Sequence, residues 1–463
     1  MSDARPAGLG VVDSSLLVIG SIVGAGIFLV SGAVASLVRS PAAFLGTWAL
    51  GGAVALAGAL SNGELGGLFP RSGGEYVYLR EAYGPALGFL SGWTSFWIAF
   101  PGSIASLAAG LGATVAPMIG VTPGTTYLGV SGAAAPRVIG AVAIAALTWI
   151  NAMGLRPGKW LQNTLSIGKL AAFAALLALG VLAMRLQVGA GRGLAPFFVA
   201  GDRPAGVATA LIPVLFAYSG WNAATYVAGE MRDPARSLGR ALVLGTAACA
   251  VLYLAVNTVY LVALPLADLA AADPQPAHAA AIALAGPAGA AILSPLIALC
   301  VLSSMQATVL VGPRIYHAMA VDGLFFPPLG RLHAGTKVPV AALVAQGVIA
   351  VAELYAPAIS GSFEDLVSFT TFALVAFSTL TVGAVVVLRV RRPEPATPRA
   401  FRVPGYPWVP VLFVAVNVWV LWNVLTFGDR GPRTALVGLA IVATGVPAYV
   451  AFRAWGRSQE TSR

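Results

Sequence analysis

Long apolar runs, separated by short polar or glycine- and proline-rich joins, fill almost the whole chain. They fall at about 12–38, 41–68, 84–118, 134–152, 158–186, 206–229, 240–265, 284–312, 338–356, 366–388, 408–427 and 433–453. A helix of roughly 20 apolar residues crosses a bilayer, so the pattern predicts twelve membrane-spanning helices. Interfacial amphipathic pieces are expected at 76–83 and 312–324. The predicted fold class is an all-α polytopic membrane protein.

Composition narrows the function classes. The chain of 463 residues is 58% hydrophobic and 10% charged, against about 25% charge in soluble domains. Secreted scaffolds, disordered chains and cytosolic enzymes are excluded. Cys249 and Cys300 both sit in apolar runs and define no disulfide framework and no zinc spacing. The net charge of +10 is spread along the chain, which argues against a nucleic-acid partner. The first ten residues lack a small-residue cleavage site, so the first run is read as a helix and not a signal peptide.

Twelve spans place both termini on one side. Nineteen of the 27 basic residues fall in loops on that side, seven fall opposite, and Lys169 lies inside a span. The positive-inside rule then puts both termini in the cytoplasm, with the bilayer expected to be the cell membrane.

Two runs carry helix breakers at mid-length. The first reads Gly20-Ser21-Ile22-Val23-Gly24-Ala25-Gly26-Ile27-Phe28, and each glycine costs a helix about 1 kcal/mol relative to alanine. These glycines either let another helix pack closely or mark an unwound stretch that lines a cavity. The sixth reads Pro213-Val214-Leu215-Phe216-Ala217-Tyr218-Ser219-Gly220-Trp221-Asn222. Interruptions at matching positions of two five-helix halves point to a transporter site built from inverted repeats. Restarting helices favour a carboxylate and ending ones an ammonium, so an α-amino acid suits the pair.

Lys169, in the fifth run, is ten residues from Lys159. That is about 15 Å of helix, half of a roughly 30 Å hydrocarbon core. A lysine that deep either caps carbonyls of a neighbour or serves the function. It can replace a bound cation or carry a proton. The sequence places no acidic residue near Gly24 or Ser219.

Four stretches together resemble the amino acid–polyamine–organocation superfamily, closest to its L-amino-acid-transporter branch and of bacterial type. They are Gly24-Ala25-Gly26-Ile27-Phe28, Arg71-Ser72-Gly73-Gly74-Glu75-Tyr76, Gly168-Lys169-Leu170 and Phe216-Ala217-Tyr218-Ser219-Gly220-Trp221-Asn222. Asp233-Pro234 and the segment 253–257 add to the likeness. The resemblance implies a leucine-transporter-type fold with a 5+5 inverted repeat plus two extra helices, its first and sixth spans unwound at mid-membrane. Residues 1–10 would be a cytoplasmic N-terminus, 11–190 and 206–388 the two repeats, and 389–407 a rigid basic cytoplasmic loop. The last two spans would occupy 408–453 and the cytoplasmic C-terminus 454–463.

The resemblance also implies site residues. Backbone around Gly24, Ala25, Gly26 and Ile27 would hold the substrate carboxylate. Carbonyls near Ser21, Ile22, Phe216 and Ser219 would hold the amine, and Ala217 and Gly220 would also belong to the substrate site. Phe216 and Trp221 would gate the site. Lys169 would occupy the sodium position of sodium-coupled relatives, with Tyr253 communicating with it. Relatives that pair with a glycoprotein heavy chain use a cysteine in the loop after the third span. Residues 121–137 have none, so no disulfide-linked partner is expected.

The expected function is sodium-independent transport of neutral L-amino acids by alternating access, through exchange. The alternatives are proton symport and a polyamine or cationic amino acid carrier of the same superfamily. No enzyme is expected, because His278, His317 and His333 fall in loops or span ends and HExxH is absent. No cofactor or metal is expected. Pocket residues from spans three, eight and ten are not readable, although Ser103, Ser106, Ser303 and Ser304 are candidates.

Overall fold

The computed structural model describes residues 8–460 apart from 25, 128, 186–193, 195, 200–203, 274, 357–362, 394–398 and 428–430. Helices stand at all twelve apolar runs. The first run is split into α1 (Val11–Ile22) and α2 (Gly26–Leu37), and the second is α3 (Pro41–Leu68). A short α4 (Glu75–Tyr83) leads into α5 (Pro85–Thr94), a π turn at Ser95–Ala99 and α6 (Phe100–Met118). Next come α7 (Ala135–Ala152) and α8 (Leu155–Arg185).

The sixth run contains α9 (Pro204–Ala217) and the single turn α10 (Ala223–Tyr226), followed by α11 (Pro234–Ala263) and the short α12 (Leu266–Ala271). Then come α13 (Pro276–Val311), α14 (Pro313–Val321), α15 (Val340–Tyr355), α16 (Phe363–Arg391), α17 (Trp408–Phe427) and α18 (Gly431–Glu460). Thr126–Tyr127 and Val130–Ser131 form a small antiparallel ladder in the loop before α7.

Among the described residues, six helices are long and apolar enough to cross a bilayer, and the α1–α2 pair, bent by 47°, makes a seventh. Shorter apolar stretches lie at Gly206–Ala217, Val340–Tyr355 and Trp408–Asn423. Large apolar side chains cover the outside. Trp149, Trp160, Ile292 and Val390 are each at least 70% exposed, as befits a surface facing lipid rather than water. The protein is a multi-pass membrane protein.

Local chemistry sets the helix ends. The Ser40 side chain accepts a hydrogen bond from Ala43 N at 3.1 Å, and Pro41 follows at the first helical position, so α3 starts there. α13 kinks at Ala285 and Gly286, next to Pro287, whose ring removes a helical hydrogen bond. In the core, α11 packs along α3, while α1 is held between α8, α11 and α13.

A helix stands at the expected 76–83 piece, and it is packed inside the protein: Tyr76, Val77, Tyr78 and Leu79 of α4 are fully buried. Polar ties draw it inward. The Tyr76 hydroxyl donates to Asp322 Oδ2 at 2.8 Å, and the Asn222 amide donates to Glu75 Oε1 at 2.9 Å.

Candidate functional site

The break in the first helix leaves carbonyl groups at its end, and three side chains from other helices come to them. Lys169 on α8 is fully buried, and its ammonium donates to Gly20 O at 3.1 Å and to Val23 O. The Ser304 hydroxyl on α13 lies 2.8 Å from Gly20 O and 3.1 Å from Val23 O. The Tyr253 hydroxyl on α11 lies 2.8 Å from Ile22 O and 3.0 Å from Ala217 O. One hydrogen is thus shared between the ends of the two interrupted helices. A positive charge suits that position, because the end of α1 carries the negative pole of its dipole.

The backbone of the gap is partly spent. Gly24 N donates to Ile22 O at 2.9 Å. Gly26 and Ile27 begin α2, whose first N–H groups have no acceptor within the helix. Ala25 lies outside the described residues.

The second break is held by turns. Ser219 N donates to Phe216 O at 2.9 Å and Ala223 N to Gly220 O at 3.0 Å. Gly220 has φ +102°, and a Cβ there would sit 2.8 Å from the Ser21 side chain. Both conformation and closeness therefore call for glycine. Gly26 meets the same helix, since a Cβ on it would come 2.9 Å from Ala217 Cα. The two breaks touch.

Between them is a cavity of about 120 Å³, lined by Ser21, Gly24, Gly26, Phe216, Ser219 and Asn222 among others. A cavity needs at least about 10–15 Å³ to hold one water, and a water occupies about 30 Å³ in the liquid, so there is room for a few waters or one small solute. Ile22, Ala217 and Gly220 also line it, as do Ser103, Ser106 and Ser304. Ser303 does not belong to the lining. Ala99 and Phe100, at the end of the π turn, form another part of the wall. That turn has its own support, since the Tyr316 hydroxyl donates to Ser95 O at 3.1 Å. π turns often occur at functional positions, and no sequence signal marked this one.

Trp221 lies on the other side. It lines a second cavity of about 70 Å³, together with Glu75, Asn222, Ser378, Phe413 and Asn417. Its ring meets Phe413 edge-on at 5.4 Å. Phe216, Ser219, Gly220 and Asn222 line both cavities. The expectation that no acidic residue lies near Ser219 is overturned. Glu75 is distant in sequence, yet the fold of α4 brings it to the second break.

No group of three or more potential ligands able to hold a metal occurs among the described residues. The arrangement is a small, mostly apolar cavity between two interrupted helices, with serine hydroxyls and backbone groups as its polar points and one buried lysine beside it. The family profile described as "Amino acid permease" matches residues 9–446. The chain belongs to that family.

Family membership places it in the amino acid–polyamine–organocation superfamily, in the L-amino-acid-transporter branch. The chain is 29% identical over 447 residues to the serine/threonine exchanger SteT of Bacillus subtilis (strain 168), covering 95% of each chain. It is 27% identical over 423 residues to the b(0,+)-type amino acid transporter 1 of Mus musculus, covering 89% of this chain and 81% of that one. It is 27% identical over 454 residues to the large neutral amino acids transporter small subunit 2 of Homo sapiens, with 95% and 79% covered. The permease therefore transports amino acids and is not an enzyme.

Proposed function

We propose that this permease exchanges neutral L-amino acids across the cell membrane without sodium, by alternating access around the two breaks. The reading takes the twelve helical runs as twelve spans of a leucine-transporter-type fold, with both termini in the cytoplasm. Gly26 and Ile27 face the substrate carboxylate, and carbonyls near Ser21 and Ser219 face its amine. Phe216, shared by both cavities, is the gate, and Trp221 supports it from the far side.

The observation that carries the reading is the Lys169 ammonium on Gly20 O and Val23 O. A resident cation there leaves a sodium ion nothing to do. Exchange is favoured by SteT, whose name records a serine/threonine exchanger. Neutral substrates are favoured by the human relative, named for large neutral amino acids. A disulfide-linked partner is not part of this reading, because Cys249 and Cys300 are both buried.

The test is uptake into liposomes holding the pure protein. Uptake should be equal with sodium or choline outside, and faster when amino acid is loaded inside. A sodium requirement would sink the role of Lys169. Net uptake driven only by a proton gradient would replace exchange with proton symport.

A further inference from the structure

Asn222 stands between the two cavities and lines both. Its side-chain Nδ2 lies 2.9 Å from Glu75 Oε1 and 2.9 Å from the Tyr226 hydroxyl oxygen. Both amide hydrogens are thereby taken. An ionised carboxylate can only accept hydrogen bonds, whereas a protonated one can also donate. While Glu75 is ionised, the NH₂ end of Asn222 must face it. The carbonyl end, Oδ1, is left uncommitted and available to a ligand's donors. A protonated Glu75 satisfies either end of the amide, and that distinction is lost.

Resting on the transport reading above, we propose that Glu75 is a positioning residue for the substrate ammonium. As a carboxylate it holds Asn222 with Oδ1 available to the ligand, and a proton on Glu75 releases that orientation.

The surroundings make this carboxyl responsive near neutral pH. Glu75 is on α4, in the segment between the second and third runs, and is 4% exposed. Burial pushes its carboxyl up to about 7, opposed by the Asn222 hydrogen bond. The titratable groups facing it are the Tyr78 hydroxyl on α4 and the Tyr226 hydroxyl on α10, with Tyr316 of α14 beyond Tyr226. From α3, α9, α16 and α17 the cavity receives only uncharged residues, such as Ala55, Leu215, Ser378 and Asn417. Among the described residues no lysine or arginine lines it.

Two measurements on the full-length protein test the proposal. In liposomes, wild-type KM should rise roughly tenfold between pH 8 and pH 6, while the maximal rate changes less. Glu75→Gln should raise KM and flatten its pH dependence, because an amide can present either end. Glu75→Asp should restore the slope. Wild-type KM and slope in Glu75→Gln, or a loss of maximal rate alone, would overturn the proposal. The second measurement needs no substrate. The folded state favours the neutral carboxyl, so wild-type melting temperature should fall relative to Glu75→Gln as pH rises from 4.5 to about 7. A constant difference across that window also overturns the proposal, whatever the transport assay shows. Absence of amino acid uptake with the melting shift present would defeat only the transport reading.

Discussion

Two of the buried ionisable groups in this permease, Glu64 and Lys169, are held in opposite ways. Glu64 on α3 is 1% exposed and meets two guanidinium groups. Arg389 reaches it in a two-pronged pair at 2.8 and 2.6 Å, and Arg399 at 2.9 Å. Val403 N adds a hydrogen bond at 2.8 Å, and Arg389 also stacks over the Tyr406 ring, 3.8 Å from its centre. Among the described residues, Lys169 has no such partner. It donates to backbone carbonyls at the end of a broken helix. The first cluster ties the end of α3 to the end of α16 and the basic loop, and the several charge-assisted contacts converging on one carboxylate make it a fixed joint. The second holds its charge on groups that could serve another cation or release it. The contrast separates a scaffold from a moving part.

The largest effect on stability should follow from breaking the joint. Glu64→Ala leaves two arginines facing each other in a buried place, and removing one member of a buried ion pair costs about 3–5 kcal/mol. The expected outcome is a large drop in melting temperature and in yield of monodisperse protein. Glu64→Gln should lie between the alanine variant and wild type. A stable, fully active Glu64→Ala would remove the distinction drawn here.

Lys169→Ala should reverse the ranking. The carbonyls it serves are shared with Ser304, so the stability loss should be smaller, about 1–3 kcal/mol for an unsatisfied buried group. Transport should fall far more than stability does, or acquire a dependence on an added cation. Melting curves and uptake on the same preparation separate the two. Unchanged uptake would make Lys169 another joint.

Much of this was visible in the sequence, for reasons that also explain what was hidden. Apolar length marks a bilayer crossing, so all twelve runs contain helices. Lys169 stood out because a charge in an apolar run has few roles, and glycines at 20–26 marked a break because helices avoid them. Glu75 was hidden because its position depends on packing: in the sequence it lies in the loop at 71–76, and only the burial of α4 carries it to Asn222. The two arginines of the Glu64 cluster read as topology signals alone, since nothing local announces a carboxylate more than 300 residues away. The π turn at Ser95–Ala99 was equally silent, because no residue type favours it.

The smallest predicted effect tests the contrast within one helical turn of α13. Ser303 and Ser304 are both buried serines, and the sequence offered no means to choose between them. The structure does choose. Ser304 reaches Gly20 O and Val23 O beside Lys169, and its Oγ packs 2.9 Å from where a Gly24 Cβ would be. The Ser303 hydroxyl is buried and, among the described residues, has no hydrogen-bond partner. Ser304→Ala should therefore cost about 1 kcal/mol, the net worth of an ordinary hydrogen bond, with a several-fold loss of transport. Ser303→Ala removes a hydroxyl that gains nothing from burial and should leave both unchanged or raise stability slightly. Equal losses from the two substitutions would mean that packing of small residues, and not capping of the broken helix, is what the pair supplies.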